Sequence, residues 1–420
     1  MGGGDFSSFM PSTSIFFPKR LQGMAMGIQA GLGNFGVSIV QFVVPVIVGF
    51  AALGAIAGPP QLFTKVDVLR DVAIERSADG YVSGFSAKRE DLTQAMEITR
   101  EGDAVTDIVI RQEGTTSNIH VELTRDDAGR VSDVVVKNIV KKDIWLQNAA
   151  FLWVPFLVVA FILCALLLRS VTLPARGFRG QFEILSRRNR ALTHTWNCTV
   201  TYLCSFGSFS GYAAAFPIMI RTIYGGFDGA PDPLAYAYLG PLIGGLVRVL
   251  TGPVFDRWGG SKGMHWTTIG QIVGCLALVF GGYLTPTSLD QFDGFLLLML
   301  WIFLMTGTNN AATFRQYPIV FAYSPAKGAQ MLGWTGAWAA FGPFVWTSLI
   351  GASITASGSA NLFFIGVSVF YLYSLAVNWW HYTRKGAERF DYGNGGGTWW
   401  DALPDSEKER MKRIDLHQPV

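Results

Sequence analysis

The chain has 420 residues; half are hydrophobic, only 15% are charged, and the formal net charge is +3. Soluble globular chains carry roughly 25% charged residues, so an ordinary soluble domain is excluded for most of the sequence, and no nucleic-acid partner is expected. The four cysteines, Cys164, Cys198, Cys204 and Cys275, all sit in apolar runs without metal-type pairing, which argues against a zinc site or a disulfide framework.

Residues 1–57 open with a short apolar run, Gly2 to Phe17. About 16 helical residues at 1.5 Å each reach only about 24 Å, less than the ~30 Å hydrocarbon core of a bilayer. The run therefore reads as a helix whose beginning is missing, and no cleavable signal sequence is evident. A second apolar run covers about 24–57.

Residues 58–148 differ in kind. From Lys65 to Asp143 there are 12 Lys/Arg and 16 Asp/Glu, and runs such as Asn118-Ile-His-Val-Glu-Leu and Val131-Ser-Asp-Val-Val-Val alternate apolar and polar residues. Asp126-Asp-Ala-Gly129 stands between those two runs as a turn, so a small soluble β-rich or α+β insertion is predicted.

Further runs long enough to span follow at 149–168, 196–220, 235–255, 266–285, 294–313, 331–353 and 361–380. Arg169, Arg176, Arg179, Arg187, Arg188 and Arg190 crowd the connection 169–195, which the positive-inside rule places in the cytoplasm. Counting outward from it puts 58–148 in the periplasm. It also puts Arg315, Lys327 and the polar tail 383–420 inside, the tail needing no special function. The fold class is thus an all-α polytopic membrane protein with a small periplasmic insertion.

Four patterns carry chemistry. Gly27, Gly31, Gly33 and Gly36 cluster inside one span together with Asn34; small residues let helix backbones approach, and a membrane-buried amide needs a partner or a substrate. Arg248 is the one basic residue well inside any long span, and those spans contain no internal Asp or Glu to balance it. A guanidinium at that depth costs several kcal/mol, so a transported anion is its obvious counter-charge. Its flat fork of donors suits a small planar oxyanion, with carboxylate, nitrate, nitrite and phosphate all open. Tyr202 and Phe206 share a helix face, on their own an ordinary packing stripe. Asp256 and Arg257, in Gly252-Pro-Val-Phe-Asp-Arg-Trp-Gly-Gly260, resemble the cytoplasmic gating loop of major facilitator transporters.

Several segments together resemble the nitrate/nitrite porter family of that superfamily: Gly2-Gly-Gly-Asp-Phe6 with Phe17-Pro-Lys-Arg-Leu-Gln-Gly23, the Gly27–Gly36 signature, Phe206-Gly-Ser-Phe-Ser-Gly211, Gly240-Pro-Leu-Ile-Gly244 through Arg248, Thr313-Phe-Arg315 and Leu332-Gly-Trp-Thr-Gly-Ala337. The resemblance covers nearly all of the membrane portion and leaves out 58–148. It implies twelve helices, with this chain starting inside the fourth; 1–57 then holds helices 4 and 5, 149–168 helix 6, 169–195 the inter-bundle loop and 196–382 the C-terminal six-helix bundle. It implies that Phe6 and Phe206 sandwich the anion, that Arg248 hydrogen-bonds it, and that Asn34 and Tyr202 complete the shell. A second arginine, on the family's second helix, is not supplied by this sequence. The second glycine signature, Gly333, Gly336 and Gly342, departs from the family at Ala339 and Pro343. Asp5 stands where the family commonly has an amide.

The expectation is therefore a monomeric, multi-pass protein of the bacterial inner membrane, with nitrate, nitrite and lipid as its partners and no cofactor or metal. It would move nitrate and nitrite by alternating access, as an antiporter serving nitrate assimilation. A proton-coupled symporter, a porter of another small anion and a membrane sensor using the insertion are the rivals. An enzyme ranks last, because no His, Cys or acid cluster converges in the spans.

Overall fold

The computed structural model describes residues 2–51, 58–69, 72–80, 82–87, 96–101, 104–110, 117–125, 131–167, 178–227, 229–391, 393 and 397–415, with the side chains of residues 2–8 and of parts of 65–140 and 178–181 left aside. Two compact units divide it, Met1–Phe42 with Val171–Val420, and Val43–Ser170.

The first unit is helical. It contains α1 (Gly2–Phe16) and most of α2 (Gln22–Ile47), which starts after a single 3-10 turn at Lys19–Leu21. α2 ends ten residues before the apolar run does. The next two helices, α3 (Asn148–Phe151) and α4 (Val154–Leu167), belong to the second unit; α4 buries none of its residues. The first unit resumes with α5 (Ala191–Tyr202), which passes through a π turn at Leu203–Gly207 into α6 (Ser208–Tyr224).

A short α7 (Pro233–Ala237) is capped by Asp232, whose Oδ1 accepts from the Leu234 N–H at 3.0 Å ahead of a proline in the first turn. Next come α8 (Leu239–Trp258) and α9 (Gly260–Phe280), separated by Gly259 alone at φ 102°. That left-handed backbone is what lets two long helices meet without a loop, and it requires glycine.

α10 (Phe292–Val320) begins behind a reciprocal cap between Ser288 and Gln291. The next long span is broken in two, α11 (Pro325–Ala339) and α12 (Gly342–Ser357). Pro343 has no N–H to give Ala339 and its ring crowds that carbonyl, so the helix must open there. α13 (Asn361–Asn378) and the tail helix α14 (Asp405–Asp415) complete the chain.

α8 and α9 both pack on α10, α9 also on α13, α1 on α11, and α12 on α6. Phe209, Tyr212, Phe216, Phe295 and Phe303 are fully buried between these helices, whereas Phe280 and Phe344 are 81% and 72% exposed. A large apolar side chain standing outside a close-packed bundle is what a lipid-facing surface requires, and eight helices among the described residues are long and apolar enough to cross a membrane.

Among the described residues of the second unit seven strands form three antiparallel sheets. β1 (Gln61–Leu69) and β6 (Ser117–Arg125) flank the long β7 (Val131–Ile144), while β2 (Val72–Arg76) pairs with β3 (Val82–Ala87) and β4 (Met96–Glu101) with β5 (Ala104–Ile110). Gln61 lies opposite Ile144, so the first and last strands bring the two ends of the insertion together. The Gln147 amide donates to the carbonyls of Gly58 and Pro59 at 3.2 and 3.1 Å. Such a segment can be inserted into one loop without stretching either neighbour. The expected turn at 126–129 lies outside the described residues, though β6 and β7 on either side of it are paired.

Candidate functional site

Arg248 is the natural centre. It sits midway along α8, is completely inaccessible, and its Nε, Nη1 and Nη2 have no hydrogen-bond partner among the described residues. A buried guanidinium without a carboxylate normally costs several kcal/mol. What surrounds it is aromatic: the guanidinium carbon lies 3.9 Å from the centroid of the Phe209 ring and 5.4 Å from that of Phe206.

The two rings come from one helix and lie 26° from parallel, 6.2 Å apart. The π turn at Leu203–Gly207 carries Phe206 and ends two residues before Phe209, and such turns recur at functional sites because they widen and re-aim one turn of helix. Tyr202 follows the same side, 5.7 Å from Phe206 and near enough to Arg248 to feel its charge. Asn310 stands beside the Tyr202 hydroxyl, contributed by α10. A lone charge inside an apolar span singles out Arg248, and the family resemblance implies Tyr202 and Phe206; the structure brings the three together. Sequence reasoning misses Phe209 and Asn310, for which the available signals were an aromatic three residues after Phe206 and paired asparagines inside an apolar helix.

Asn34 is half-buried, and its amide donates to the carbonyl of Ala30 in its own helix at 2.7 Å. Phe6 lies in α1, and its side chain, like that of Asp5, falls outside the described residues.

The glycines of α2 divide by face. A Cβ on Gly27 would come within 2.8 Å of the Arg248 carbonyl oxygen, and one on Gly31 within 2.8 Å of the Gly245 oxygen. Gly33 and Gly36 have nothing within 4 Å. At about 100° per residue, positions 27 and 31 share a face while 33 and 36 turn away from it. α2 therefore packs backbone to backbone along α8 at the level of Arg248. Farther along, the Ser38 hydroxyl donates to the Tyr238 carbonyl at 2.9 Å and the Gln41 amide to the Ala213 carbonyl at 3.1 Å. In the second signature Gly336 is buried and Gly333 half-buried in α11, and a Cβ on Gly342 would meet the Gly207 oxygen at 2.3 Å, so the helix break rests on the π turn.

At the other end of the α2–α8 contact, Asp256 accepts from the N–H groups of Gly23 and Met24 at 2.9 and 2.8 Å. It supplies the first turn of α2 with the negative cap that a helix N-terminus favours. Arg257 is exposed, and the arginine near Asp256 is instead Arg315, 3.9 Å away. Reading the charged residues as loop markers misplaced Arg315: α10 continues through Val320, which leaves that side chain buried. Its Nε and Nη2 donate to Asp391 at 3.1 and 3.2 Å, and its Nη1 donates to the Lys19 carbonyl.

The tail is likewise more than a solvated extension. Asp391 also accepts from the first N–H of α9 at 3.1 Å, Arg389 donates to the carbonyls of Val320 and Asn189, and the Trp399 indole donates to Ile319. Breaking a buried bidentate pair from one side costs about 3–5 kcal/mol. Asp391→Ala is accordingly expected to lower the thermal unfolding midpoint in detergent by several degrees, whereas removing the exposed Arg257 side chain should leave it unchanged. Equal midpoints for the two variants would show that the Arg315–Asp391 contact carries no stability.

Among the described residues no three His, Cys, Asp or Glu side chains gather as a metal would require.

No family profile matches the chain. It is 41% identical over 389 residues to a Thermus thermophilus protein named "Probable nitrate/nitrite antiporter NarK2", covering 93% of this chain and 70% of that one. It is 26% identical over 409 residues to the "Nitrate/nitrite transporter NarU" of Escherichia coli K12, covering 91% and 68%, and 26% identical over 412 residues to its Salmonella typhimurium counterpart, with the same coverage.

Proposed function

Since this chain belongs to the nitrate/nitrite porter family of the major facilitator superfamily and is a multi-pass inner-membrane protein, we propose that it exchanges nitrate for nitrite across that membrane by alternating access, with Arg248 as the residue that holds the anion. The observation that carries this reading is a fully buried guanidinium whose three nitrogens have no protein acceptor among the described residues.

A planar oxyanion presents two oxygens to the two N–H edges of such a fork. Phe206 offers its ring to the flat face of the anion. Tyr202 donates from the side, and Phe6 and Asn34 approach from the α1 and α2 side, as the family pattern implies. The close backbone contact of α2 with α8 is the seam along which two bundles move about the anion. The Asp256 contact with the start of α2 holds one end of that seam shut. Transport needs no bond made or broken, so the protein is a carrier and not an enzyme.

Electrostatics favours exchange. A carrier that returned empty would drag Arg248 through its occluded state without a counter-charge, at a cost of several kcal/mol. One that returns with the other anion avoids that cost. The test is counterflow: the protein is reconstituted in liposomes loaded with nitrite, and uptake of labelled nitrate is followed. Uptake is expected to require nitrite or nitrate inside and to persist when a protonophore collapses the proton gradient. Uptake into anion-free liposomes driven by an inward proton gradient would overturn the exchange mechanism.

A further inference from the structure

We propose that Phe209 is the positioning residue for Arg248: its ring face holds the guanidinium plane so that the N–H edges stay free for the anion. This rests on the reading of Arg248 as the anion-binding group. Phe209 belongs to none of the residues that the sequence pattern or the family resemblance assigns to the anion.

An arginine side chain has four rotatable bonds, and it usually takes its orientation from carboxylates or carbonyls that accept its hydrogen bonds. Arg248 has neither among the described residues. Each acceptor that fixed it would take up part of the five-donor set the anion draws on. An aromatic face can hold the flat ion and leave every N–H unused, because it attracts the cation through the ring quadrupole and works best where water is excluded. Phe209 meets that requirement: its centroid is 3.9 Å from the guanidinium carbon, against 5.4 Å for Phe206, and the residue is 1% exposed.

The ring is itself held. Phe303 meets it edge-on, at 6.1 Å and 85°. On the side of α8, one turn before Arg248, stands Gly244, where a Cβ would lie 2.5 Å from the ring's Cε2. Glycine at 244 is what gives the ring room to reach along α8. The two phenylalanines then divide the work, Phe209 orienting the cation and Phe206 facing the anion.

The test separates a quadrupole from a shape. Phe209 is replaced by phenylalanines bearing one, two and three ring fluorines, which drain the ring's negative face while changing its volume little, and nitrate–nitrite exchange is measured in liposomes over a range of nitrate concentrations. The half-saturation constant is expected to climb steadily with fluorine number, about tenfold over the series, while the maximal rate and the unfolding midpoint hold within about twofold and a few degrees. Phe209→Leu should resemble the trifluoro variant. A half-saturation constant that stays flat over the series, in a protein that Arg248→Lys inactivates, overturns the role of Phe209 and leaves the anion site standing. Full exchange by Arg248→Lys overturns both.

Discussion

Arg248→Met is expected to abolish nitrate–nitrite exchange and at the same time to raise the thermal unfolding midpoint. The two effects have one cause. A methionine is shorter but apolar and flexible, so it packs beside Phe209 and Phe206 without the desolvation cost of a cation, and replacing a buried ionic group by a packed apolar one is often neutral or stabilising by about 1–4 kcal/mol. What is lost is the donor fork.

Arg248→Lys separates charge from geometry. It keeps a positive charge but replaces a planar fork, able to grip two oxygens and lie on a ring, with a point ammonium. One charge-assisted hydrogen bond is worth about 1.5–3 kcal/mol, so losing one of two is expected to cut exchange at low nitrate by ten- to a hundredfold, and imperfect placement of the ammonium by more. Nitrate should also stop protecting the variant against heat, whereas it protects the parent protein. An Arg248→Met protein that still exchanges the anions, or one markedly less stable than the parent with no other defect, would mean that Arg248 is held by the protein for its own structure.

The second large effect belongs to the seam. Gly252→Val is expected to reduce exchange by more than tenfold without preventing insertion into the membrane. A Cβ at position 252 would come 2.5 Å from the Gly23 carbonyl oxygen, 3.1 Å from its carbon and 3.3 Å from the Met24 Cα, all of them backbone. None of these atoms can rotate away, so α2 must lift off α8, and the Asp256 contacts with Gly23 and Met24 beside it must lengthen. Gly36→Ala is the matched control, since nothing lies within 4 Å of that position. An alanine there adds helix propensity and should leave folding and assembly intact. Crosslinking of cysteine pairs placed across α2 and α8 would report the separation directly. Equal crosslinking in the parent and in Gly252→Val would remove the steric account.

The glycine stripe shows how far sequence reasoning reached. It marks α2 as a packing helix, and helical periodicity assigns 27 and 31 to one face. It does not say which partner that face meets, because a glycine has no side chain to reveal its neighbour. Only the approach of α8, with Gly245 and Gly252 opposite, separates the glycines at contact from Gly33 and Gly36. Asn34 gives one amide proton to the Ala30 carbonyl of its own helix, a local bond that no periodicity exposes.

Hydropathy determined the class of this protein, the charged β-rich insertion and the position of Arg248 as a lone basic residue deep in a long apolar span. Those conclusions follow from solvation, since a long apolar helix and a deep unpaired charge each carry a transfer cost that is a property of the residues alone. Tertiary structure decided which neighbours meet that cost. Arg315 reads as a loop charge until α10 is seen to continue and Asp391 to return from the tail, and Phe209 reads as packing until α8 brings a guanidinium against its face. Contacts between residues 39 and 76 positions apart, or between a helix and a tail, depend on how the elements close on one another, and local pattern holds no record of that closure.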